Sequence, residues 1–446
     1  MRKYRRIVKE KDSQLQGYQI CLIALSFSLI IVIVSFLLLT LTDKYNLIEL
    51  FNVISSVFKI FMIVSFLILI LFVFSYGSRE KVSTLEVDEM SKKSQRKANK
   101  IRRLFNDKTI ADVLKLVNNT RFGIEMPEIF VYLADDLYSG YIAIENIASF
   151  DMLDRSKIEQ KISGILSGKF QKYAVVSSEL IRGDTYVLYH FEDAQTSMRL
   201  VLENVDDISN YVSENKRDIK LAKDLIWHAN KVPHMSIIAR TRAGKSVLAG
   251  GYIAPLMQLQ GWVVEYNSAK KDIYVKKFNG EHEPIKIIER AEYWLAEMKK
   301  RLNEIDKANA EKYTDLDMTD IAVFFDEIGN LNSSLENDRN LKKRWENAIN
   351  ALSATGASAG LHIISISQRA TKEGFLTGLA RTNSSDAVIM LGTAADEATE
   401  RQYLISGYEM PKRKYSAGQG IARFDGSGRK WQEPHFYETP LFKHYV

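Results

Sequence analysis

The stretch that most constrains this chain is Ala239-Arg240-Thr241-Arg242-Ala243-Gly244-Lys245-Ser246. An apolar, strand-like run, Met235-Ser236-Ile237-Ile238, leads into it, and a helix-compatible run beginning at Val247 follows. A strand, a tight loop ending in Gly-Lys-Ser and a helix form the context that a phosphate-binding loop needs. Backbone N–H groups and the helix N-terminus would then face the phosphates. Lys245 would reach the β/γ-phosphates, and the Ser246 hydroxyl would hold Mg²⁺. The contacts to nucleotide are expected from Ala239, Arg240, Thr241, Arg242, Ala243, Gly244, Lys245, Ser246 and Val247. The motif asks for Gly at its first position, and Ala239 stands there. Gly-Lys-Ser alone also occurs in ordinary turns, so the loop needs a partner segment.

Ile321-Ala322-Val323-Phe324-Phe325-Asp326-Glu327 supplies one. A continuous apolar run suits a central parallel strand covered on both faces. Its two terminal acids lie about 80 residues beyond the loop, where a P-loop domain places its Mg²⁺-binding strand. Asp326 would bind Mg²⁺ through water, and Glu327 would polarise the attacking water. A solvated Asp-Glu pair ending an ordinary strand is the bland alternative. The two segments in this order point to ATP binding.

The chain has 446 residues, enough for two or three domains. Gly17 to Thr42 holds no charged residue, and Leu50–Tyr76 holds only Lys59. Each run suits a membrane-spanning helix, over about 18–42 and 52–76. The first is too long for a signal-peptide core and lacks a small-residue cleavage site. Arg2, Lys3, Arg5, Arg6, Lys9 and Lys11 precede the first run, and a dense basic stretch from Arg79 to Arg103 follows the second. The intervening loop holds one Lys and two acids. The positive-inside rule then places both termini in the cytoplasm, so the expected location is the cell membrane, multi-pass. Cys21 is the single cysteine, which excludes a disulfide framework.

The expected organisation is a membrane anchor over 1–76, a basic helical linker over 77–120, a small α+β domain over 121–215 and an α/β domain over 216–446. The last is expected to be a RecA-like P-loop ATPase, because strands at Ser236–Ile238, Gly261–Tyr266, Ile321–Phe325, His362–Ser367 and Ala387–Leu391 alternate with helical segments. No catalytic constellation is visible in the small domain.

Further motifs follow in a recognisable order. Val232-Pro233-His234-Met235 leads into the loop. The segment from Ala291 to Arg301 has the form of a "W…EM.RR" helix. Gly360-Leu361-His362-Ile363-Ile364-Ser365-Ile366-Ser367-Gln368-Arg369 is similar to a "GIHL…TQRP" strand. Thr377-Gly378-Leu379-Ala380-Arg381-Thr382-Asn383 parallels "TGLIKAN", and Gly418-Gln419-Gly420 parallels "GRG". On these residues the chain resembles the FtsK/SpoIIIE family of DNA-pumping ATPases, most nearly the TcpA-like coupling proteins of Gram-positive conjugative elements. The resemblance implies a homo-hexameric ring that hydrolyses ATP with Mg²⁺ and moves DNA through its centre. It implies Gln368 as the γ-phosphate sensor and an arginine acting on the neighbouring subunit, for which Arg381 and Arg401 are the candidates. DNA would be held through its phosphates by Lys270, Lys271, Lys276 and Lys277 after the second strand and by Lys372 after the Gln368 strand. A solvated face is the alternative for both clusters. The implied partners are DNA of any sequence, the membrane, and relaxosome and transfer-channel proteins.

The departures are Ala239 and Arg242 in place of glycines, Ala370 in place of Pro, two membrane helices instead of four, and an end at Val446 that leaves no expected room for a winged helix. They favour plasmid or element transfer over a cell-division or sporulation translocase. A protein-export motor like that of type VII secretion is the third reading, although those motors usually carry several ATPase modules. The topology has a direct test in a Cys21→Ser background. Asn46→Cys should react with an impermeant maleimide on intact cells, and Ser91→Cys should not. The reverse pattern overturns the assignment.

Overall fold

Two long apolar helices open the computed structural model, which describes residues 17–444 except 46, 78–84, 86, 88, 106, 115, 117, 121–122, 126, 147–151, 171 and 182–184. The basic residues before Gly17, together with Arg79, Lys81 and Asn46, fall outside the described set. Helix α1 spans Gly17–Lys44 and α2 spans Ile48–Gly77. Both are long and apolar enough to cross a membrane by length and composition. They pair antiparallel: Tyr18 and Tyr76 meet edge-on at 5.8 Å, and Phe36 and Phe58 lie 6.2 Å apart. Midway, Ser28 Oγ and Ser65 Oγ lie 2.6 Å apart, a small polar pair of the kind that lets apolar helices approach closely. Lys59 sits about three turns into α2 on its exposed side, not at a helix end.

The residues from Glu89 onward, apart from Thr120–Glu125, form a second compact unit. It contains a four-stranded antiparallel sheet of β1 (Ile129–Leu133), β2 (Ser139–Glu145), β3 (Tyr173–Leu180) and β4 (Tyr186–Asp193), in the order β1-β2-β4-β3. Helices α3 (Lys92–Phe105) and α4 (Met152–Phe170) contribute to its core. Strand alternation sorts the side chains of β4. Val187, Tyr189 and Phe191 join the helix-covered core, whereas His190 and Glu192 point the other way. There Glu192, fully buried, takes Lys430 Nζ at 3.0 Å and His435 Nδ1 at 3.3 Å. Burial opposes its charge, but Lys430 and His435 prevail and pull its pKa down to about 2. The two nitrogens of His190 face Glu179 at 2.9 Å and Glu433 at 3.8 Å. A charged seam thus fastens the small sheet to the C-terminal segment.

Two sequence-based boundaries move. Residues 92–116 are not a free linker: Ala98, Ile101, Phe105, Ala111, Leu114 and Leu116 are buried in the core of the four-stranded sheet. The spacing of the first three is helical, so their stripe needs a partner surface, and the sheet supplies it. The large domain begins before residue 216, since Leu200, Leu202 and Ile208 are buried in its core and Val201–Leu202 pairs parallel with Leu441–Phe442.

The large sheet has seven strands: β5 (Met235–Ala239), β6 (Val263–Ser268), β7 (Ile321–Asp326), β8 (Leu361–Ser367), β9 (Ala387–Leu391), β10 (Gln419–Phe424) and β11 (His435–Glu438). Their order is β6-β7-β8-β5-β9-β10-β11. The first five pair in parallel, β10 pairs antiparallel with β9, and β11 pairs antiparallel with β10. Along β7, Ala322 and Phe324 enter one apolar cluster while Ile321, Val323 and Phe325 enter the other. Both faces are therefore covered, which explains the unbroken apolar runs in the sequence.

The corrected role of α3 is testable. Phe105→Ala removes a fully buried ring, a change that costs about 3–5 kcal/mol in a packed core. Amide exchange across β1–β4 should accelerate by roughly a hundredfold or more. Unchanged protection would mean that α3 is a linker after all.

Candidate nucleotide site

Parallel register sets the site. Ile238 lies level with Ser367, and Phe325 lies level with Ser365. The next residues along these strands, the loop from Ala239, the acids Asp326 and Glu327, and Gln368, therefore emerge together at the C-terminal edge of the sheet. One strand, β8, separates the loop strand β5 from the acidic strand β7. Ligands in open α/β sheets bind outside this edge.

The loop turns on two left-handed residues, Arg242 (φ 65°) and Gly244 (φ 100°). Glycine adopts that conformation freely, and a side chain there costs about 1 kcal/mol, so Arg242 holds a glycine-like turn under strain. Its side chain is exposed. Arg240 is tied to the buried Glu400 by an ion pair, and Glu400 also accepts from Ala370 N at 3.2 Å. Ala239 completes the buried strand β5. Ala243 O accepts from Gly418 N at 3.0 Å, which anchors the loop to the turn before β10. A helix begins at Lys245, so the N–H groups of its first turn, with Ser246 and Val247 half-buried there, have no intrahelical acceptor.

Lys245 is buried between the two acids, with Nζ at 3.0 Å from Asp326 Oδ1 and 2.6 Å from Glu327 Oε1. Burial favours the neutral amine, yet the carboxylates outweigh it and hold the pKa of Lys245 above its ordinary value. Burial raises the Asp326 carboxyl above its usual range; Lys245 opposes that and Glu327 adds to it. Gln368 Nε2 donates to Glu327 Oε2 at 2.9 Å, and Thr241 Oγ1 lies 3.5 Å from Gln368 Oε1. The cluster joins loop, acidic strand and sensor strand in one hydrogen-bonded group. Glu327 itself is left-handed (φ 56°), which turns its carboxylate back over the loop. Lys245 and the acids, with the N–H groups of the first helical turn, form the donor and acceptor set that a Mg²⁺-bound triphosphate requires. The buried Ser268 Oγ, paired in register with Asp326, has no hydrogen-bond partner among the described residues and adds an unsatisfied polar atom beside the acids.

Arg381 lies half-buried on the helix Gly378–Asn383, its guanidinium 4.7 Å above the Tyr403 ring. Arg401 is placed against expectation. It is 5% exposed, and its guanidinium donates to Ala395 O at 2.8 Å and Met410 O at 3.0 Å. Such a pinned side chain cannot reach a neighbouring subunit. Lys270, Lys271, Lys276 and Lys277 are all exposed in the segment that follows β6, and Lys372 is exposed in the loop after β8. They surround the edge that carries the acids without joining the cluster.

Two supporting residues carried no local signal. Tyr266, fully buried within β6, donates to Asp326 Oδ2 at 3.0 Å. Arg199 donates from Nε to Thr439 O at 2.7 Å and from Nη2 to Gly418 O at 3.3 Å, and so braces the turn that holds the loop. It lies far upstream in sequence, in a segment that reads as part of the small domain, so only the folded chain brings it here.

No family model matches the chain, and no curated protein matches it. Among solved structures it is similar to one described as the pCW3 conjugation coupling protein TcpA in monomer form with ATPγS, with a TM-score of 0.50 and 14% identity. The match covers 78% of this chain and 95% of that one. With its covered parallel sheet, its P-loop edge and its two apolar N-terminal helices, the chain has the fold of a TcpA-like coupling protein.

Proposed function

We propose that this protein is a membrane-anchored, ATP-driven DNA translocase, the coupling protein that feeds plasmid or integrative-element DNA to a conjugative transfer channel. The observation that carries the reading is the convergence of Lys245, Asp326, Glu327 and Gln368 under a phosphate-binding loop. Residues 17–77 anchor the chain, residues 92–193 form the small domain, and residues 194–446 form the motor. Both termini are cytoplasmic, and six copies form the working ring.

Catalysis on this fold is mostly positioning and charge stabilisation. Lys245 exchanges its carboxylate partners for β/γ-phosphate oxygens. That exchange frees Glu327 Oε1 to accept a hydrogen bond from the attacking water, while Gln368 keeps hold of Oε2. Ser246 and Asp326 would hold Mg²⁺, which would supply charge neutralisation at the phosphates. Arg381 serves the neighbouring subunit's site, reached by leaving its stack on Tyr403. The exposed lysines after β6 and β8 track DNA phosphates, because a pump must ignore sequence.

The chemistry is checked by ATP turnover of the full chain. Lys245→Ala should abolish it. Glu327→Gln should still bind ATP while turnover falls by about a hundredfold or more, the usual worth of a group that activates water. Wild-type turnover in Glu327→Gln would refute the role given to that residue.

The substrate is checked by DNA stimulation. Duplex or single-stranded DNA of any sequence should raise the ATPase rate, with binding that weakens steeply in salt. Changing Lys270, Lys271, Lys276 and Lys277 to Gln should leave basal turnover intact, blunt the stimulation and reduce the salt slope by up to about 3 to 4, near 0.9 per lost phosphate contact. A flat response of the unmutated ring to both forms of DNA would remove DNA pumping and favour a protein-export motor.

A further inference from the structure

Helix α3 sorts its side chains by chemistry. At 100° per residue, Ser94, Ala98, Ile101 and Phe105 fall on one side, and all four are buried against the small domain. Lys92, Lys93, Arg96, Lys100 and Arg103 fall within a sector of about 100° on the opposite side, and all five are exposed. Arg102 is exposed on the flank. Lys97 turns inward, its ammonium 4.9 Å above the Tyr173 ring. The helix contains no acid. Asp135 lies at its N-terminal end, where it accepts from Ser91 N at 2.9 Å. Among the described residues, none of the five outward cations has an ion-pair partner. The result is a basic strip along a helix about 21 Å long, fixed to a folded domain by its other face.

We propose that this strip lies on anionic lipid headgroups of the cytoplasmic leaflet. The proposal rests on α1 and α2 entering the membrane. Three observations select lipid over nucleic acid as the occupant. α2 ends at Gly77 and α3 begins at Lys92, so the connecting residues span at most about 50 Å even when extended. The strip is therefore tethered near the bilayer whatever else the protein does. It is one-sided, which suits a flat charged surface. It is also the first cation-rich helix after the apolar hairpin, the position of juxtamembrane polybasic segments, where each Lys or Arg adds about fivefold in affinity for an anionic surface. Because the opposite face of α3 is core, lipid contact would fix the orientation of the small domain against the membrane and not merely hold a flexible tail.

The test uses the full chain in nanodiscs, in a Cys21→Ser background, with Asn99→Cys carrying a donor dye and the lipid headgroups carrying an acceptor. Asn99 is exposed beside the strip. Energy transfer should be higher with phosphatidylglycerol in a phosphatidylcholine background than with phosphatidylcholine alone, and the difference should shrink as salt rises through Debye screening. Changing Lys92, Lys93, Arg96, Lys100 and Arg103 to Gln should abolish the difference, while amide protection of β1–β4 confirms that the domain remains folded. Equal transfer in both lipids, or a difference that survives the five changes, overturns the proposal. If the variant keeps its lipid response but loses affinity for a fluorescent duplex, the strip belongs to nucleic acid and the proposal fails. The readout needs neither hydrolysis nor DNA, so a chain that failed as a DNA pump would still give an answer. A chain that did not enter the discs would refute both the membrane helices and this use of α3.

Discussion

A buried ammonium held between two buried carboxylates organises the large α/β domain. Lys245 is 7% exposed, and both its partners are buried as well. An isolated charge at that depth is prohibitively costly, and removing one partner of such a pair typically costs about 3–5 kcal/mol. The cluster therefore requires that the loop after β5 and the acids after β7 reach the same point, which parallel register across β8 achieves. Under the function proposed above, phosphate oxygens would compete with these carboxylates for Nζ, and the carboxylate released would be Glu327, which Lys245 holds in this structure.

The left-handed backbone of Arg242 and Glu327 belongs to the same design. Neither residue type favours that conformation, and strain of this kind persists where the surroundings over-determine it. Around the loop those surroundings are Arg240 on Glu400 and the bond from Gly418 to Ala243, itself braced by Arg199. Glu327 is fixed from both sides, by Lys245 and by Gln368.

How much of this could be read in advance depends on sequence distance. The loop and the acidic strand were legible because each packs its chemistry into a few consecutive residues whose flanks announce strand or helix. The parallel sheet was legible because strands covered on both faces are apolar without interruption. Helix α3 showed its charge but not its partner: a stripe of Ala98, Ile101 and Phe105 states that something is buried, and the sheet that buries it comes later in the chain. Arg199, Tyr266 and Arg401 were opaque for a related reason. Their roles are fixed by backbone carbonyls or by an acid brought near only by the tertiary fold, and an arginine pinned to Ala395 and Met410 looks in sequence like one free to act elsewhere. The seam of Glu192 with Lys430 and His435 joins residues more than two hundred positions apart, beyond the reach of any local pattern.

Distance in sequence also hides the contact path from the acids to the exposed lysines. Tyr266 donates its hydroxyl to Asp326, and its ring lies 5.7 Å from that of Tyr274. Tyr274 is the second residue of the short helix Ile273–Lys277, capped by Asp272, on which Lys276 and Lys277 stand. On its other side Tyr274 fits against Gly250, where any side chain would overlap its ring. Gly250 lies in a π-helical turn, Ala249–Ile253, of the same helix that Lys245 begins. Tyr274 therefore touches both halves of the nucleotide site, the acid through Tyr266 and the phosphate loop through its helix. Close-packed side chains with no free volume between them transmit displacement rather than absorb it. Lys276 and Lys277 stand on the short helix that Tyr274 packs into place. An aromatic contact, from Tyr266 on Asp326 to Tyr274, thus lies between the acid cluster and the exposed Lys276 and Lys277.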